Sequence, residues 1–226
     1  MVITGSGSFT HGIEGATTTA AWVLATTYID VQLTSDPGVD AGGAAFEHVI
    51  KSAGVGFYAE LSNAPQNDTT FEYTRRVRTG NAAIPAGKNH VTVSDGTVGA
   101  NSIVLVCLTS DPGDVAGGAV VQAVETTAGT GFKIYLTNAV IGETTFDYFI
   151  VNKTGSGTVP LGSTTYYVAA PTVASNSAIS VVFKADSGVS AGSCAVKSIT
   201  KTAGYGFTLE LANGPINDTA FDYYIS

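Results

Sequence analysis

Three aspartates, Asp36, Asp111 and Asp186, recur at one constant interval, and the same interval separates Phe57, Phe132 and Phe207, and Tyr73, Tyr148 and Tyr223. The period runs through the 226-residue chain without a gap. Such a repeat constrains the fold more than composition does, because each copy solves the same local packing problems with the same residues. Each copy opens on a Thr-Gly pair (Thr4-Gly5, Thr79-Gly80, Thr154-Gly155), which frames repeats at 1–78, 79–153 and 154–226. Residues 146–151 run almost straight into Thr154-Gly155. No Gly/Ser tether separates the copies, so they are expected to abut in fixed relation.

The second copy is the easiest to read. Val91-Thr92-Val93 alternates, residues 102–109 are β-branched and apolar, and Phe132, Ile134 and Leu136 alternate with Lys133 and Tyr135. Phe146, Tyr148 and Ile150 alternate with Asp147 and Phe149. Period-2 alternation between Gly, Pro, Asn and Asp punctuation predicts short half-buried strands, six or seven per copy. No window predicts an amphipathic helix. The expected fold class is all-β, with three tandem antiparallel β-sandwich repeats of about 75 residues and almost no helix. A single β-trefoil has about four strands per unit and fits this unit less well.

Comparison of the copies assigns faces. Ile29, Val31 and Leu33 match Val104, Val106 and Leu108, then Ile179, Val181 and Phe183; this set is predicted to face each core. The opposite face of the same strand differs between copies. The middle copy carries Ile103, Leu105 and Cys107 where the first has Tyr28, Asp30 and Gln32 and the third has Ala178, Ser180 and Val182. It also carries Tyr135 where the others have Glu60 and Glu210, and Phe149 where they have Thr74 and Tyr224. Burying apolar surface stabilises by about 25 cal/mol per Å². Ile103, Leu105, Cys107, Tyr135 and Phe149 are therefore the candidate interface, covered by a sibling repeat, another subunit or a capsid surface; drift with strand propensity is the bland reading.

Composition limits the remaining functions. With Lys+Arg 10 and Asp+Glu 18 the net charge is −8, which disfavours a generic phosphate-binding surface, so no nucleic-acid partner is expected. A hydrophobic content of 44% argues against global disorder. No stretch approaches the roughly 18 apolar residues of a membrane helix, and the opening Met1-Val2-Ile3-Thr4-Gly5 has no basic n-region, so neither a membrane partner nor a secretory signal is expected. Cys107 and Cys194 make no disulfide framework and are expected to be free thiols.

Candidate chemistry is sparse. Asp36-Pro37-Gly38 and Asp111-Pro112-Gly113 recur as Asp186-Ser187-Gly188. They read as turns, or as calcium loops helped by Asp40 or Asp114, although calcium needs about six to eight oxygen ligands. Glu72, Asp147 and Asp222, with acids in the preceding turns, place two carboxylates in every copy; the strand acid is expected on an outward face, and no acid–base pair can be placed from them. His11, His48 and His90 occupy different repeat positions, so no threefold metal site is expected. The G-x-G triplets at 54–56, 129–131 and 204–206 lead into strands, which suits hairpins rather than dinucleotide binding. No catalytic, metal or cofactor residue is assigned. All three arginines, Arg75, Arg76 and Arg78, cluster at the first repeat junction, either as contacts for an anionic partner or as a solvated junction with local ion pairs.

The Thr-Gly opening combined with Thr109-Ser110-Asp111-Pro112-Gly113, Ala116-Gly117-Gly118, Thr127-Ala128-Gly129-Thr130-Gly131-Phe132 and Thr144-Thr145-Phe146-Asp147-Tyr148 resembles the small β-sandwich modules repeated in structural proteins of tailed-bacteriophage particles: capsid decoration proteins, head fibres and tail appendages. The resemblance covers the whole chain, rests on turn and core residues, and transfers no catalytic or binding residue. It implies a non-enzymatic virion protein without cofactors. Such a protein is assembled in the host cytoplasm, exposed on the particle surface, and partnered by other capsid or appendage subunits. Three linked copies can imitate a trimer at a threefold site of a shell. Alternatives are a receptor- or glycan-binding appendage using Tyr28, Tyr58, Tyr166, Tyr167, Tyr205 or Tyr224, and a surface filament built by edge pairing.

Overall fold

The computed structural model describes residues 3–38, 44–113, 118–184 and 196–226. Asp40, Asp114, the Asp186-Ser187-Gly188 triplet and Cys194 lie outside these residues, so the calcium reading of those loops and the state of Cys194 do too. The described residues form strands and no helix. In chain order the strands are β1 (Ile3–Phe9), β2 (Gly15–Thr19), β3 (Thr27–Leu33), β4 (Phe46–Ser52), β5 (Gly56–Leu61) and β6 (Thr69–Val77). Then come β7 (Gly80–Ile84), β8 (His90–Ser94), β9 (Ser102–Leu108), β10 (Val121–Thr127), β11 (Gly131–Leu136) and β12 (Thr144–Asn152). The last are β13 (Gly155–Val159), β14 (Thr165–Ala169), β15 (Ile179–Phe183), β16 (Val196–Thr202), β17 (Gly206–Leu211) and β18 (Thr219–Ile225).

The chain is all-β, built from small antiparallel sheets in sandwich-like arrangement. β1-β6-β3 form one sheet, and β2-β5-β4 belong to the facing one. The orders β7-β12-β9 with β10-β11-β8, and β13-β18-β15 with β14-β17-β16, repeat that pattern. The register recurs as well: Gly5 pairs with Tyr73, Gly80 with Tyr148 and Gly155 with Tyr223. A parallel pairing of His48 with Leu108 joins β4 to β9, so two of the sheets run on as one of six strands.

Two recurring glycines explain much of the pattern. A Cβ at Gly5, Gly80 or Gly155 would overlap the ring of its paired tyrosine, so Gly lets an aromatic ring lie across the neighbouring strand, where it also screens the backbone. Gly131 opens β11 at φ +144, and a Cβ there would overlap the carbonyl oxygen of Val93. Each G-x-G triplet is thus the tip of a hairpin whose second glycine lets β8 and β11, or their counterparts, approach closely.

Among the described residues three large apolar cores sit between facing sheets, beside a small buried pair, Ala45 and Val120. One gathers Phe9, Ile29, Phe57, Leu61 and Phe71, the next Val104, Leu108, Phe132, Ile134 and Phe146, and the last Ile179, Phe183, Phe207, Leu209 and Phe221. The strand set assigned to the core from alternation, Ile29 to Leu33 and its counterparts, lies in these clusters or packs against them. Each fully buried Phe or Leu contributes about 1.5–3 kcal/mol.

The cores also contact one another in a cyclic order. β4 packs on β9, β10 on β15, and β16 on β3, while β3, β9 and β15 all touch each other. The fourth strand of each six-strand set therefore meets the third strand of the next, and the last set returns to the first.

Candidate functional site

The residues that meet where β3, β9 and β15 converge come from equivalent positions of the three copies. Asp30, Leu105 and Ser180 form one triplet, and Gln32, Cys107 and Val182 the next. They line a cavity of about 140 Å³ with Tyr28, Glu47 and Gln122. Alternation turns one face of each third strand into its own core, so the other face is left to meet its siblings.

Ile103, Leu105 and Cys107 are 2%, 3% and 4% exposed and belong to the first core's cluster, with Phe149 packed against it. Phe149 stacks on Tyr28 at 6.0 Å between ring centroids. Tyr135 lies elsewhere, packed against the third cluster; its hydroxyl donates to Glu125 Oε2 at 2.9 Å and its ring receives Lys133 Nζ at 4.4 Å. Four of the five interface candidates thus share one locus. Cys107 is a free thiol whose pKa is driven far upward by burial, with Asp30 and Asp147 adding to the rise. It is an inert packing group rather than a nucleophile.

Asp30 is the carboxylate that the three converging strands bring to this axis, while Glu47 reaches the same cavity from β4. Burial raises the pKa of Asp30, and the hydroxyl of Ser180, which donates to it, and the charge of Arg76 offset only part of that rise. A carboxyl with a raised folded pKa binds its proton more tightly when folded, so its contribution to stability falls as pH rises from the ordinary carboxylate range through the raised value. Asp30→Asn keeps an acceptor for Ser180 and removes the buried charge. It is expected to raise the melting temperature at pH 7 and to gain little at pH 4; equal offsets at both pH values would contradict this.

Ion pairs bridge the sets, and they hold the strand acids that alternation places on open faces. Asp147 and Asp222 are instead 2% and 6% exposed, a correction that follows from the neighbouring set covering the sheet. Lys51 pairs with Asp147, and its Nζ also donates to the carbonyls of Ala25 and Thr27. Lys201 repeats the arrangement two copies later, donating to Glu72 at 2.7 Å and to the carbonyl of Ser177. Lys153 and Lys184 hold Asp222 at 3.2 and 3.5 Å. Lys197 reaches Asp36 at 2.7 Å. The available signal was an acid at the same outward position in every copy; apart from Lys184, which shares its repeat with Asp222, the cationic partners lie in other copies and leave no local pattern.

The arginines separate into three environments. Arg75 lies over Trp22 at 5.4 Å. Arg76 is 7% exposed between Phe149 and Tyr224, and Nη2 donates to Ser226 Oγ at 3.3 Å. Neither sequence reading describes Arg76: it is neither solvated nor open to a partner, because rings from both other sets cover it. Arg78 Nη1 donates to Asp147 Oδ1 at 2.9 Å and remains partly exposed. His48, whose counterparts are Ala123 and Ser198, is 1% exposed, a burial that its lone repeat position does not signal. Neither of its ring nitrogens makes a hydrogen bond, with Glu60 and Glu47 at 3.4 and 3.8 Å.

The remaining candidates have structural settings. The carboxylates of Asp36 and Asp111 accept from the amides of Gly38 and Gly113 at 2.7 Å, and both glycines have positive φ, the turn expected of Asp-Pro-Gly. Among the described residues, no group of three or more His, Cys, Asp or Glu is placed to hold a metal ion. Of the tyrosines considered for glycan stacking, Tyr167 and Tyr205 are the well-exposed ones, while Tyr28 is buried. No family model, curated protein or solved structure matches the chain.

Proposed function

We propose that the chain is a non-enzymatic structural protein of a tailed-phage particle. In this reading three tandem β-sandwich repeats, 1–78, 79–153 and 154–226, form a one-chain imitation of a trimer that decorates the capsid exterior at sites of local threefold symmetry. The observation that carries the reading is the cyclic packing of β4 on β9, β10 on β15 and β16 on β3. An open row of repeats leaves its first and last members unpartnered; a ring returns the last to the first, as a trimer does.

Fusion has a physical advantage. Three separate subunits lose translational and rotational freedom on assembly, a cost of several kcal/mol that linked repeats largely avoid. Fusion also frees each axial position to differ, so Asp30 faces Ser180 rather than two further aspartates. The resemblance of the turn and core motifs to phage virion modules supplies the class of particle. Added to purified shells that lack it, the chain is expected to bind until one copy occupies each local threefold site. Saturation at three copies per site, or absence of binding, overturns the proposal.

A further inference from the structure

His48 lies on the joint between the first and second repeats. Its pairing with Leu108 is the parallel contact that carries β4 onto β9, and its neighbour Glu47 accepts from the amide of Ala119 in the second copy at 2.8 Å. The equivalent residues, Ala123 and Ser198, are buried as well, so the fold covers this position in every copy. The first copy alone fills it with a titratable group.

Neither ring nitrogen of His48 has a hydrogen bond, yet each faces a carboxylate. Nε2 lies 3.4 Å from Glu60 on β5, and Nδ1 lies 3.8 Å from Glu47. A neutral imidazole carries one N–H, so it must turn a bare lone pair toward one of these two anions. An imidazolium donates from both nitrogens, and each donor then has an anion in front of it. The third copy meets the same need with an uncharged donor: Ser198 Oγ donates to Glu210 Oε2 at 2.8 Å, and Glu210 is the counterpart of Glu60.

The other groups around the pair are acids. Burial raises the pKa of Glu60, the charge of His48 lowers it, and Glu47, Asp111 and Glu14 raise it further. Glu14 stands just ahead of β2 and Asp111 in the loop after β9, while Tyr58 on β5 reaches Glu60 through its hydroxyl. From β9 itself His48 meets Leu108, which has no charge. Among these neighbours His48 is the one group able to carry positive charge.

We propose that His48 is a proton-sensitive catch on the first–second joint: its cation binds Glu60 and Glu47 and tightens the joint at mildly acidic pH, and the neutral ring releases it as pH rises. The stability that the catch adds is present where histidine is protonated and is lost as pH rises through the range in which histidines titrate, around pH 6.5. The inference concerns the ring of repeats itself and stands whether or not the chain decorates a shell.

The test compares the full chain with His48→Ser, which copies the third repeat's solution. Between about pH 5.5 and about pH 8, the melting-temperature advantage of wild type over this variant is expected to shrink by at least about 3 °C. Taking the difference removes the pH response of Asp30, which both chains share. Exchange of the Ala119 amide, corrected for its intrinsic rate, is expected to accelerate at least about tenfold over that interval in wild type and to change little in His48→Ser. Glu60→Gln, at a partly exposed position, keeps an acceptor without the charge; it is expected to abolish most of the response, and it serves alone if His48→Ser does not fold. A wild-type advantage that is constant, or that grows with pH, overturns the proposal. An undiminished response in Glu60→Gln overturns the pairing on which it rests. Neither result bears on shell binding, so the decoration reading is tested separately.

Discussion

Leu105→Asp is expected to destabilise the chain by about 4 kcal/mol, near the upper limit for a single substitution. Leu105 is 3% exposed and lines the axial cavity with Asp30. The new carboxylate has no cation of its own and sits near one that is already hard to ionise. The damage should concentrate where the sets meet, because Leu105 points away from the core that holds Val104, Leu108 and Phe132. Hydrogen exchange should therefore accelerate in β3, β9 and β15 while β11 and β17 stay protected. Uniform acceleration through every core strand would contradict separate cores joined at an axis, and an unchanged melting temperature would contradict the burial of this face.

Gly131→Ala is the second large effect, expected at about 3 kcal/mol or more. The residue has φ +144, and a Cβ there would meet the carbonyl oxygen of Val93 and the amide of Asp95, the latter at 2.8 Å. Both obstacles are backbone, so β8 must move away from β11 rather than a side chain turning aside. Gly129, two residues earlier, is an internal control: it has φ +72 but open space around it. Gly129→Ala should cost only the left-handed penalty of about 1–2 kcal/mol. Denaturant melts of the two variants check the difference, and equal losses would show that close strand approach contributes nothing.

The parts of this architecture that were legible in the sequence are those governed by local chemistry. Alternation located the strands because a pleated strand must place successive side chains on opposite faces. Asp111-Pro112-Gly113 announced its turn, and Gly131 its hairpin, through backbone preferences that need no distant partner. Internal repetition added what a single domain lacks: Leu105 stood out because its counterparts are Asp30 and Ser180, and that contrast marked a face before any neighbour was visible. What covers the face was not legible. The pairing of Lys51 with Asp147 spans 96 residues, and that of Lys201 with Glu72 spans 129; an outward acid that meets water and one that meets the next set look alike in sequence. Arg76 was obscure for the same reason, since its rings, Phe149 and Tyr224, come from two other copies. His48 had only Ala123 and Ser198 as counterparts, and neither gives a histidine context.

The proposal that one chain imitates a trimer on a phage shell is tested most directly by a cryo-electron microscopy reconstruction of shells saturated with the chain, computed without imposing threefold symmetry on the added density. The expected result is a single chain over each local threefold site, with β3, β9 and β15 around the axis. Three separate chains at each site, or repeats strung out along a fibre without mutual contact, would contradict it.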